Sequence, residues 1–238
     1  MAVAPQPQTA FVNVAGLSHD YVQGGTRQRV LHDLTLTLRR GESVALLGRS
    51  GGGKTTLLNL VSGIEAVQRG EVTVAGTRLT ALDETARTHF RRRHIGFIYQ
   101  FFNLVPSLTA QENIALVLEL NGASLQAAMA RAATLLSDCG LGERAGHFAG
   151  ELSGGEQQRV AILRALAHNP ALVLADEPTG NLDAASGQAM LALLHAQVRA
   201  QGSTLLLVTH SLAVARTADR ILTLEQGGIH ERDVDFAW

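Results

Sequence analysis

The residues best suited to chemistry are Gly48-Arg49-Ser50-Gly51-Gly52-Gly53-Lys54-Thr55-Thr56. Their spacing is G-x-x-x-x-G-K-[ST], the pattern of a phosphate-binding loop. Glycines let the backbone curl until successive N–H groups point at one anion, and a following helix adds the positive end of its dipole. Lys54 can then reach the outer phosphates of a nucleotide, and the Thr55 hydroxyl can sit on a magnesium ion. The plain alternative is a glycine-rich turn before a helix. The flanks oppose it: Ser43 to Leu47 is an apolar run fit for a strand, and Leu57 to Val61 continues as a helix.

Two further strings carry chemistry. Leu172-Val173-Leu174-Ala175-Asp176-Glu177 is an apolar strand ending in two carboxylates. Neighbours on a strand point to opposite sides, so the two can take separate tasks. Asp176 is expected on the magnesium side, through its hydration shell, and Glu177 on an attacking water. Taken alone, the pair reads equally as a polar strand end running into the Pro178 turn. Leu152-Ser153-Gly154-Gly155-Glu156-Gln157-Gln158-Arg159 has capping-box spacing from Ser153 to Glu156 and starts a helix towards Leu166. Gly154 and Gly155 leave its first turn bare, as close approach to an anion requires. The chain therefore has a second phosphate-facing helix N-terminus.

The elements that must position these residues alternate. Phe11 to Val22 and Val30 to Leu38 read as an N-terminal antiparallel β part, joined by a loop at Gln23-Gly24-Gly25-Thr26. Strands follow at 43 to 47, 71 to 74, 95 to 99, 171 to 175, 204 to 208 and 221 to 224, with helices at 83 to 93, 184 to 200 and 212 to 218. Strand–helix alternation implies a mostly parallel sheet, with ligands at the carboxyl ends of its strands. Between them, Thr109 to Leu120 and Leu125 to Leu136 have helical character, so residues 101 to 165 read as a helical subdomain inserted into an α/β core. That core covers 11 to 100 and 166 to 232 of a single domain, with tails at 1 to 10, read as disordered, and 233 to 238.

Bulk properties narrow the function. A net charge of -1 gives no general attraction to nucleic acid or anionic lipid, and the basic run Arg91-Arg92-Arg93-His94 reads as a solvated helix end. One cysteine, Cys139, excludes an internal disulfide and reads as a small core residue. No apolar run approaches the ~20 residues of a membrane span. Met1 to Gln8 lacks the basic and apolar regions of a secretion signal. A cytoplasmic protein is expected, with any membrane role exercised through a partner.

The ordered set of strings resembles the ATP-binding cassette (ABC) ATPases over about Phe11 to Glu231. In that likeness Tyr21 matches the aromatic stacked on adenine, positions 48 to 56 Walker A, and Gln100 the Q-loop. Leu152 to Arg159 matches the signature motif, Leu172 to Glu177 Walker B, Asn181-Leu182-Asp183 the D-loop and His210 the switch histidine. The resemblance implies a P-loop NTPase (RecA-like) core that binds ATP and Mg2+, the metal held by Thr55, Gln100 and Asp176. Two cassettes would pair head to tail, with Ser153 and Gly155 reaching the γ-phosphate on the facing copy. Glu177 would act as base, His210 would contact the γ-phosphate and link to the facing subunit near Asp183, and Gln100 would join them.

Ile95 to Gln100, Phe102-Asn103-Leu104 and Asp176 to Asp183 are similar to the lipoprotein-release and macrolide-efflux branch, and cell-division ATPases share much of this pattern. The implied partners are a second cassette and a membrane permease docked near Phe101, Phe102, Leu104 and Val105, on the inner face of the membrane. The alternative is a soluble ABC ATPase acting on nucleic acid or ribosomes; the long coiled-coil arms, zinc insertions or second cassette common in that class are missing here. No N-K-x-D guanine reader is present, which favours ATP over GTP.

Overall fold

A computed structural model describes residues 10 to 232; the N-terminal and C-terminal tails discussed above otherwise lie outside the described residues. The chain forms two sheets and seven α-helices among those residues. β1 (Val12–Gln23) and β2 (Thr26–Leu38) pair antiparallel with β4 (Arg69–Val74) and the two-residue β5 (Thr77–Arg78), in the order β2-β1-β4-β5. The second sheet runs β10-β9-β3-β8-β7-β6, built from β3 (Ser43–Leu47), β6 (Ile95–Ile98), β7 (Leu172–Asp176), β8 (Thr204–Thr209), β9 (Arg220–Glu225) and β10 (Gly228–Arg232). Its strands are parallel except β10, which pairs antiparallel with β9. All five residues of β3 and all six of β8 are buried, as strands covered on both faces must be.

The N-terminal hairpin is longer than its composition suggested. β2 begins at Thr26 and the connection shrinks to Gly24-Gly25, at φ 57° and 79°. Positive φ at both central residues suits the right-handed twist of a two-residue hairpin, and glycine adopts it without a Cβ penalty. The same device at Gln226-Gly227 turns β9 into β10, an edge strand that the sequence reading did not include.

Three apolar clusters organise the interior. The first lies between the two sheets and takes in α1 (Lys54–Val61) and Phe90 of α2 (Glu84–His94). The second covers the other face of the parallel sheet with α6 (Ala184–Gln201) and the single turn α7 (Leu212–Ala215), shorter than the 212 to 218 expected. The third joins α3 (Ala110–Leu120) and α4 (Leu125–Asp138) to α5 (Gly154–Leu166). Helix α5 belongs to two clusters. Ile162, Ala165 and Leu166 face the sheet, while Val160 and Leu163 face α3 and α4. A Cβ at Gly96 of β6 would strike the Ala165 carbonyl, so glycine there allows α5 its close approach. Cys139 is half-buried against the third cluster, and burial pushes its thiol pKa up.

Candidate functional site

The glycine loop joins the end of β3 to the start of α1. Gly53 caps the helix at φ 92°, and a Cβ there would lie 2.8 Å from Val30, so this turn accepts only glycine without displacement. No acidic side chain occupies the first turn of α1, which leaves its N–H groups and dipole facing outward. Lys54 is 7% exposed and folds back, donating from Nζ to the Gly48 carbonyl at 2.8 Å and the Arg49 carbonyl at 3.0 Å. Burial pulls its pKa down, opposed by the charges of Glu177 and Asp176.

A cavity of about 510 Å³ opens over this loop. Ser50, Gly51, Gly52, Gly53, Lys54, Thr55 and Thr56 line it with Tyr21, and Gln100, Asp176, Glu177 and His210 complete its wall. The wall residues come from the carboxyl ends of β6, β7 and β8, where an α/β sheet holds its ligands. Thr55 Oγ1 donates to Asp176 Oδ2 at 2.8 Å, bringing together a hydroxyl and a carboxylate read separately from the sequence. Burial raises the Asp176 pKa; the Thr55 hydrogen bond opposes it.

Glu177 corrects one step of the sequence reasoning. It is not a strand residue alternating with Asp176: β7 ends at Asp176, and Glu177 sits beyond it at φ 45°. The two carboxylates diverge because the backbone turns, not because a strand alternates. Glu177 N donates to the Val208 carbonyl at 3.0 Å, and Thr209 Oγ1 donates to Glu177 Oε2 at 3.1 Å. His210 Nδ1 lies 2.9 Å from Glu177 Oε1, and Lys54 Nζ 3.9 Å from the same oxygen. A positive φ in a non-glycine residue costs on the order of 1–3 kcal/mol and persists where its surroundings fix it, as β8 does here.

Ser153, Gly154 and Gly155 stand apart from this cavity. Ser153 caps α5 in a complete capping box, its Oγ donating to Glu156 Oε2 at 2.8 Å while Ser153 N donates to the same oxygen at 2.8 Å. Those Ser153 hydrogen bonds, aided by Arg144, hold the Glu156 carboxyl down at about 2. Gly155 instead lines a separate cleft with Arg159, Leu182 and Ser186. Asp183 caps α6 through Ser186 N and Oγ, and borders a third cavity beside His195 and Ser211.

Helix α5 ties these parts together. Arg164 donates to the Asn103 carbonyl at 2.6 Å and the Phe102 carbonyl at 3.0 Å, and Gln158 donates to the Pro178 carbonyl at 2.9 Å. Asn181 Nδ2 donates to the Gln100 carbonyl at 2.8 Å. Phe101 is exposed at 68%, Phe102 and Val105 are half-buried, and Leu104 packs on the third apolar cluster. Of the expected docking residues, Leu104 is thus spent on the interior of its own subunit. Sequence patterns do not single out Thr209, Arg164 or Gln158. Thr209 had a signal, its place beside His210 at a strand end; the others depend on contacts between distant segments.

Residues 31 to 180 match the family model described as ABC transporter. An uncharacterized ABC transporter ATP-binding protein of Mycobacterium tuberculosis is 51% identical over 217 residues, covering 91% of this chain and 88% of its own. The lipoprotein-releasing system ATP-binding protein LolD of Xylella fastidiosa is 45% identical over 228 residues, 95% of each chain. Among solved structures, a dimeric ATP-binding cassette in a post-hydrolysis state bound to ADP and Pi matches with a TM-score of 0.86 and 37% identity, over 95% of this chain and 100% of that one.

Proposed function

The chain belongs to the ABC transporter family of ATP-binding proteins, and from that premise we propose that it hydrolyses ATP as one half of a cassette dimer that drives a separate membrane permease. The observation that carries the reading is the separation of the two motif-bearing helix N-termini. The uncapped start of α1 at Lys54 lines the cavity over the glycine loop, whereas Ser153 and Gly155, at the capped start of α5, lie outside it. A second copy, turned head to tail, would bring its Ser153 and Gly155 to the nucleotide held by this one. The dimeric cassette bound to ADP and Pi supports the pairing of two such chains.

Within each half, Lys54 and the N–H groups of Gly51 to Thr56 would hold the β- and γ-phosphates, with Gly48, Arg49 and Ser50 shaping the loop and Tyr21 stacking on adenine. Thr55, Gln100 and Asp176 form an all-oxygen donor set fit for Mg2+, a hard cation that neutralises phosphate charge. Glu177 would receive the proton of the attacking water. His210, beside Glu177, would contact the γ-phosphate and link it to the facing subunit near Asp183. Phosphoryl transfer depends mainly on positioning and charge stabilisation, so no covalent intermediate is needed. Base catalysis of this kind contributes ~10²–10⁴-fold.

No helix among the described residues is long and apolar enough to cross a membrane; the coupling proposed here runs through a partner. We place that partner against the exposed Phe101 and the half-buried Phe102 and Val105, on the inner face of the membrane. The lipoprotein-releasing relatives support a permease of that branch. The test is a pull-down from membranes with Glu177→Gln in the presence of ATP, followed by identification of what copurifies. A four-helix-type permease is expected; recovery of ribosomal proteins or RNA instead would overturn the reading.

A further inference from the structure

We infer that Glu65 is a positioning residue for recognition of the nucleotide base, acting through the Tyr21 hydroxyl; the inference rests on the proposed stacking of Tyr21 on adenine. Tyr21 Oη donates to Glu65 Oε2 at 2.9 Å and lies 3.3 Å from Thr56 Oγ1 in the glycine loop. Tyr21 is 40% exposed and lines the cavity, so without a tether its side chain would be free to change rotamer. Glu65 supplies the tether from behind.

The tether is itself held. Glu65 N donates to the Asn59 carbonyl of α1 at 3.1 Å, which fixes the acidic residue to the same helix that carries Lys54 and Thr55. His19 Nε2 lies 3.0 Å from Glu65 Oε1, with the histidine side chain only 3% exposed. The His19 ring also meets the Tyr21 ring edge to face, with centroids 4.8 Å apart. Gln68 zips the following loop to β1, accepting from Asp20 N and donating to the Asp20 carbonyl, both at 2.9 Å. One oxygen of Glu65 therefore faces a buried ring and the other holds the phenol. Since α1 also bears the phosphate contacts, the distance between base and phosphate subsites is set through a single short chain of groups: Tyr21, Glu65, α1.

The test separates base from phosphate recognition by comparing binding of ATP with inorganic tripolyphosphate, which has no base, on the full chain. Glu65→Ala and Tyr21→Phe are each expected to weaken ATP about tenfold, the scale of one charge-assisted hydrogen bond. Tripolyphosphate should change less than about twofold by the same principle, since its contacts remain. Glu65→Gln, which keeps an acceptor for the phenol, should restore most of the ATP affinity. The double variant should be no weaker than either single one, because both remove the same bond. Equal losses for both ligands, or ATP affinity unchanged in Glu65→Ala, would overturn the role of Glu65. Tyr21→Ala serves as the control: if it left the preference for ATP over tripolyphosphate intact, base stacking itself would fall, and this inference with it.

Discussion

Glu177→Gln separates chemistry from binding and folding more cleanly than any other substitution in the site. The amide has the shape of the carboxylate, and its oxygen can still accept from Thr209 Oγ1, now 3.1 Å from Glu177 Oε2. Its other end still faces His210 Nδ1, now at 2.9 Å. With both contacts available, folding stability should change by no more than about 1 kcal/mol, roughly 2–4 °C in Tm for a chain of this size. Removing the negative charge near Asp176 and the phosphates should leave ATP binding equal or tighter. What goes is the proton acceptor, worth ~10²–10⁴-fold in rate, or about 2.7–5.4 kcal/mol in the barrier. Phosphate release should fall by at least about 100-fold while ATP binding persists and the dimer accumulates by gel filtration. Turnover within about tenfold of the parent, in a variant that still binds ATP, would refute the assignment of Glu177.

Mixing two inactive chains tests shared sites. Lys54→Ala removes the phosphate lysine and Ser153→Arg blocks the facing contact, so each alone should be inactive. A mixture should regain a fraction of the ATPase activity through the one composite site that keeps both groups; no recovery would argue against head-to-tail closure. Acidification should loosen the start of α5. The Glu156 pKa, lowered to about 2 from 4.5, means its contribution is complete above 4.5 and is lost as pH falls towards 2. Hydrogen exchange of residues 153 to 158 should report that loss in the parent, and Glu156→Gln should flatten the response over that window. Phe101→Asp should abolish copurification with the permease without affecting ATP binding, because the side chain is 68% exposed. Leu104→Asp is expected to destabilise the chain itself, measured by Tm, since Leu104 packs on the third cluster.

Much of the site was legible because its parts are local. Glycine spacing, a following helix and a capping box are written within a few residues, and Gly53 and Ser153 do what those patterns require. The central strands announced themselves by unbroken apolar runs, as at β3 and β8. Less legible were features whose cause lies elsewhere in the chain. The turn at Glu177 follows from hydrogen bonds to β8, and the contact between Tyr21 and Glu65 spans 44 positions with no motif to mark the second partner. The Gly24-Gly25 hairpin is a different case. Its signal is present in the sequence, but Thr26 to Arg29, which open β2, are polar and exposed on both faces, a pattern that marks a loop as readily as a strand end.

Arg164 holds the segment after Gln100 by the carbonyls of Phe102 and Asn103, not by their side chains. Main-chain carbonyls are the same whatever residue bears them. The path of the loop can therefore stay constant while Phe101, Phe102 and Val105 vary. At the proposed docking surface, a cassette could then change its partner by a few surface substitutions and leave the residues around Lys54 and Glu177 untouched.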